Sequence, residues 1–116
     1  MVSPMAEAAS SRPAEKRKSL SNQRSFDSLY THGFVRAALA SPKVSIGDPA
    51  ANADAIIDLA KRADADSAAL LLLPELALSG YAIDDLHLQE ALLDAVDEAV
   101  AFIAAETRDL LPVLVF

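Results

Sequence analysis

The sequence predicts an α/β protein in the order β-α-β-α-β, and three observations carry that expectation. Short, largely apolar runs at Phe34–Ala40, Ala69–Leu73 and Pro112–Phe116 have the length of buried strands. Two longer segments between them repeat apolar residues at helical spacing. Proline and glycine punctuate the joins, at Gly33, Gly47-Asp48-Pro49, Pro74 and Gly80. Alternation of this kind calls for parallel strands joined by helical crossovers that pack on the sheet. The 116 residues are 53% apolar and 23% charged, enough for a hydrophobic core in one domain at most.

Each element has a local cause. Asp48 is placed to cap a helix and Pro49 to occupy its first position, where the missing N–H costs nothing. That helix should run from about Pro49 to Ala65, with Ala53, Ile56, Ala60 and Ala63 on its apolar stripe. Asp54, Asp58, Lys61 and Arg62 take the other side, acids first, as the helix dipole prefers. Ala69–Leu73 is apolar throughout and stopped by Pro74, which predicts a strand covered on both faces. A second helix is expected from about Leu86 to Thr107, its stripe formed by Leu88, Leu92, Val96, Ala99, Val100 and Ile103. The third strand is Pro112–Phe116. Three strands and two helices leave much sheet uncovered, so the chain is expected to be the truncated opening of a larger domain.

Charge is unevenly placed. Residues 1–24 hold five basic side chains against two acidic ones, whereas residues 25–116 hold five against 15. Residues 1–25, rich in Ser, Ala, Arg and Lys, have too little to bury and read as a disordered basic leader. The acidic body repels phosphate backbones, which argues against a nucleic-acid partner. No apolar run approaches the roughly 18 residues of a membrane-spanning helix, so no membrane partner is expected. The chain has no cysteine, hence no disulfide, thiolate zinc site or cysteine nucleophile within it. A cytoplasmic setting is the expectation.

Glu75 is the leading candidate for chemistry. It lies just past Pro74 at the carboxyl end of an apolar strand, where ligands collect in open α/β sheets. Partial burial beside Leu73 and Leu76 would suit such a carboxylate to accept a proton. On position alone a solvated or capping carboxylate is the commoner outcome. Tyr81, after Ser79 and Gly80, is a candidate to lay its ring over a small substrate, though a residue covering the sheet edge is the plainer reading. Asp84 and Asp85 are better explained as a cap for the Leu86 helix than as metal ligands. His32 and His87 share no ligand motif, and no serine sits in a nucleophile elbow. A receiver-like signalling module would need acids at the end of its first strand, where this chain has Ala40-Ser41-Pro42.

Longer motifs carry a resemblance. Ser28-Leu29-Tyr30-Thr31-His32-Gly33-Phe34-Val35-Arg36-Ala37-Ala38 resembles the opening of the glutaminase domain of glutamine-dependent NAD⁺ synthetases. Leu73-Pro74-Glu75-Leu76-Ala77-Leu78-Ser79-Gly80-Tyr81-Ala82-Ile83-Asp84-Asp85-Leu86 resembles the segment bearing that domain's catalytic glutamate. Leu88 to Val96 continues the similarity, so it covers residues 26–116. The Pro-Glu and Ser-Gly-Tyr elements alone point to the wider nitrilase, or carbon–nitrogen hydrolase, superfamily.

The resemblance implies a partial glutaminase domain over 26–116, the amino-terminal β-α-β-α-β portion of a nitrilase-type α-β-β-α sandwich. It implies a Glu–Lys–Cys triad in which Glu75 is the general base. The cysteine would attack the glutamine carboxamide and the lysine would stabilise the oxyanion. Ammonia would pass to a synthetase domain of the same full-length chain, which uses ATP and Mg²⁺ to convert deamido-NAD⁺ to NAD⁺. Complete enzymes of this kind are expected to be homo-oligomers. No cofactor is implied for this segment. Lys43 and Lys61 lie upstream of Glu75 and do not match the triad lysine, and without a cysteine the chain alone is expected to be inactive. Another nitrilase-superfamily amidase and a non-catalytic remnant are the alternatives.

Overall fold

The computed structural model describes residues 26–116; the expected basic leader lies outside the described residues. The chain divides into two compact units with a boundary between Phe34 and Val35. In the first, Leu29–His32 forms a 3₁₀ turn closed by Gly33, whose left-handed backbone (φ 79°) lets its N–H reach the Leu29 and Tyr30 carbonyls. The His32 ring nitrogen lies 2.7 Å from the Phe26 carbonyl oxygen, and the two rings meet edge to face.

The second unit holds β1 (Ala37–Leu39), α1 (Pro49–Ala65), β2 (Leu70–Leu72), α2 (Glu90–Thr107) and β3 (Val113–Val115). All three strands are parallel in the order β1-β2-β3. Ala37, Leu70 and Val113 share one row, Ala38, Leu71 and Leu114 the next, and Leu39, Leu72 and Val115 the third. The α/β order read from the sequence is thus the observed one. β1 is shorter than Phe34–Ala40 because its partner β2 is short. Flanking bonds from Ala69 N–H to Arg36 O and from Ala40 N–H to Leu72 O carry the pairing one step further each way.

Helix α1 begins where the Asp48-Pro49 pair placed it. The Asp48 carboxylate accepts from Ala51 N–H at 3.1 Å. Its buried face is Ala53, Ile56, Ile57, Ala60 and Ala63, and the alanines let α2 pack closely against it. Ile56 and Leu71 are the large side chains most completely buried, each contributing roughly 1.5–3 kcal/mol of hydrophobic stabilisation. Ala99 and Ile103 enter the core from α2, while Ala38 and Leu114 pack against it from the sheet. Asp64 accepts from Leu111 N–H at 2.8 Å and ties the end of α1 to the approach of β3.

Two expectations are corrected. β2 is covered on one face only: Leu71 is buried, whereas Leu39, Leu72 and Val115 in the neighbouring row are exposed. Both helices serve the Leu71 face, so the opposite pleat has no cover within these residues. The second helix does not start at Leu86. A 3₁₀ turn spans Asp84–Leu88, and extended Gln89 (ψ 125°) separates it from α2. Asp84 and Asp85 therefore lie inside the turn rather than capping α2, and Leu88 falls off the apolar stripe with 72% exposure.

Candidate active site

Parallel strands bring their carboxyl ends to one edge of the sheet, so the loops after β1 and β2 meet there. An open hollow of about 400 Å³ lies at this edge, lined by Leu39, Ala40, Ser41, Leu72, Leu73 and Pro74. Glu75 is the next residue along the chain. A larger groove of about 680 Å³ runs between α1 and α2, past Asp54, Ala95, Glu98 and Phe102, but neither Glu75 nor Tyr81 lines it.

The structure joins the two residues singled out from the sequence. Tyr81 Oη donates to Glu75 Oε2 at 3.1 Å. Partial desolvation pushes the Tyr81 phenol above its ordinary value of 10, and the hydrogen bond and negative charge of Glu75 push it further. The ring is 66% exposed, so the carboxylate is the cause a substitution can remove. Tyr81 consequently stays a donor across the neutral range.

The apolar surround expected for Glu75 is absent from this segment. Leu73 is buried, but Glu75 is exposed and Leu76 is 42% exposed. The cause is a sharp turn directly after the carboxylate. Leu76 adopts φ 56°, a left-handed conformation costly for a branched side chain. Gly80 N–H closes the turn by donating to Leu76 O at 2.7 Å. Gly80 itself has φ 82°, and a Cβ there would stand 3.4 Å from Val44 Cγ1. Strained backbone beside a carboxylate is a feature of functional sites.

The sequence reading missed Asn52. Its side chain is 3% exposed, on the face that α1 otherwise gives to Ile56 and Ala60. Its Nδ2 donates to Ser45 O and Leu78 O, and its Oδ1 accepts from Ser45 N–H, each at 2.7 Å. The signal was available: a lone amide at i, i+4, i+8 register with core residues must find buried partners.

Other candidates lie elsewhere. His32 is engaged with Phe26, six residues upstream, and His87 lies in the 3₁₀ turn with Asp84 and Asp85. Ser79 is buried and its hydroxyl donates to Gly80 O at 3.4 Å. Among the described residues no three His, Asp or Glu side chains gather where they would hold a metal ion. No described helix is long and apolar enough to cross a membrane.

Comparison with known proteins agrees with the motifs. No family model matches the chain. It is 53% identical over 90 residues to the glutamine-dependent NAD(+) synthetase of Mycobacterium tuberculosis, covering 78% of this chain and 13% of that protein. Over the same shares it is 47% identical to the Mycobacterium leprae synthetase. The Xanthomonas campestris synthetase is 37% identical over 89 residues, 76% of this chain and 16% of that protein. The chain thus spans about an eighth of the length of the mycobacterial relatives. Over most of its length it is homologous to one segment of the glutamine-dependent NAD(+) synthetases.

Proposed function

We propose that residues 26–116 are part of a nitrilase-type glutaminase domain in which Glu75 is the general base. The observation that carries this reading is the Tyr81–Glu75 hydrogen bond at the carboxyl edge of a parallel sheet. It unites the two motif residues at the place where α/β proteins bind ligands. Homology to glutamine-dependent synthetases supports it. Glu75 takes the proton of a cysteine thiol, and the thiolate attacks the glutamine carboxamide carbon. The proton leaves with the nitrogen as ammonia, and water then splits the thioester to release glutamate. The chain contains no cysteine, and Lys43 and Lys61 do not match the triad lysine, so in this reading both groups come from outside these residues. Tyr81 fixes the Glu75 carboxylate by donating to one oxygen, leaving the other to accept the thiol proton.

The ammonia serves a synthetase domain that uses ATP and Mg²⁺ to amidate deamido-NAD⁺, in a homo-oligomeric enzyme. The test is Glu75→Gln in a full-length synthetase carrying this segment. Glutamine-driven NAD⁺ synthesis should fall by roughly 10²–10⁴-fold, the usual contribution of a general base. Synthesis from added ammonia should persist. Equal loss of both activities would refute the assignment.

A further inference from the structure

We infer that Asn52 is a positioning residue for Glu75, acting through the turn that follows β2; the inference rests on the glutaminase reading above. Asn52 belongs to α1, yet its buried amide grips both loops at the carboxyl edge of the sheet. One Nδ2 hydrogen goes to Leu78 O, 26 residues further along the chain, and the other to Ser45 O. Oδ1 takes Ser45 N–H. Two contacts on the single residue Ser45 fix the plane of the amide, so the hydrogen aimed at Leu78 has one direction. Leu78 sits midway between Glu75 and Tyr81. A shift of its carbonyl moves both partners of the 3.1 Å bond.

Two neighbouring contacts join the same loops. Gly47 N–H donates to Ser79 O at 2.9 Å, one residue beyond Leu78, and joins the same two loops. Gly80 packs on Val44 and Ile46, either side of Ser45. The short stretch Leu78–Gly80 is therefore held to Val44–Gly47 with Asn52 as the side-chain link between them. No other residue type satisfies both carbonyls and the N–H at this reach. Aspartate has no donor, leucine has neither donor nor acceptor, and glutamine is one methylene too long. Helix α1 is a rigid element with a buried face, so the loop bearing Glu75 takes its position from a fixed frame.

The test uses the full-length synthetase carrying this segment, with Asn52→Asp and the milder Asn52→Ser. Both should lower glutamine-driven kcat by roughly ten- to hundredfold, the cost of misplacing a catalytic group by about an ångström. KM for glutamine should stay within about twofold, because Asn52 contacts no substrate. Ammonia-driven synthesis, measured on the same preparations, should be unchanged. A merely structural role lowers both activities in one proportion through loss of folded enzyme, and that result overturns the inference. Unchanged glutamine-driven turnover in both variants, with Glu75→Gln inactive, overturns it and leaves the glutaminase reading standing. Retained turnover in Glu75→Gln removes the general-base role itself, and the positioning role with it.

Discussion

Gly80→Ala isolates the turn that carries the site. The added methyl would lie 3.4 Å from Val44 Cγ1 and 3.5 Å from Ile46 Cα, ordinary contact that the neighbours accept. Space is therefore not the cost. The cost is φ 82°, which an L-residue adopts at a penalty of about 1–2 kcal/mol. Two backbone bonds depend on that conformation, from Gly80 N–H to Leu76 O and from Gly47 N–H to Ser79 O. A penalty of that size multiplies the local opening equilibrium about five- to thirtyfold. Amide hydrogen exchange reads this directly, since protection factors report opening residue by residue. The amides of residues 47 and 80 should exchange faster by that factor, while the bond from Leu73 N–H to Val115 O in the sheet keeps its protection. Gly33→Ala is the control. It carries a similar φ of 79° with nothing within 4 Å of the new methyl, so it should leave Gly47 unaffected. Unchanged protection at residues 47 and 80 would refute the claim that Gly80 holds the turn. A uniform loss across the sheet would refute the claim that the turn opens locally.

Two further predictions concern the site carboxylate and the bare sheet face. The Tyr81 phenol is raised above its ordinary value, so its donated bond is fully present below pH 10 and is lost as pH climbs through the higher folded value. Glu75→Gln should therefore lower the Tyr81 tyrosinate midpoint, read by ultraviolet absorbance with Tyr30→Phe to isolate the signal; an unmoved midpoint would show the carboxylate is not its neighbour. Leu39, Leu72 and Val115 form one exposed apolar row, so the 116-residue chain should bind the dye ANS. Leu72→Lys, at the middle of that row, should reduce the fluorescence markedly, and undiminished fluorescence would place the dye elsewhere.

Legibility in the sequence followed the range of the forces involved. Helix α1 was legible to the residue because its signals are local: an N-cap, a proline and a 3.6-residue stripe. The sheet's composition was legible too, but coverage was not. Ala69–Leu73 is apolar at every position, and such a run does not say which face meets a helix. The start of α2 failed for a related reason. Leu88 fits the stripe by spacing, yet the extended backbone at Gln89 breaks the phase between it and Glu90. At the site, Glu75 and Tyr81 were found by motif and position. Their mutual hydrogen bond was not, since it needs the left-handed step at Leu76 to fold six residues back on themselves. Asn52 escaped because its partners lie seven and 26 residues away.

The strain at Leu76 and the bonds of Asn52 belong to one balance. A branched residue at φ 56° costs about 1–2 kcal/mol, and without contacts to hold it the loop would relax to an extended backbone. Asn52 contributes one buried hydrogen bond to Leu78 and two part-buried ones to Ser45, worth about 0.5–1.5 kcal/mol each. Only the bond to Leu78 reaches the turn, and its worth is of the same order as the strain, so the turn also draws on the Gly80–Leu76 and Gly47–Ser79 backbone bonds. It follows that the two features are separable by relief of strain. Removing the Asn52 amide lets Leu76 relax, and the 3.1 Å contact between Tyr81 and Glu75 is lost with it. Leu76→Gly removes the strain while keeping the left-handed step, so with Asn52 in place Leu78 stays anchored and the contact remains.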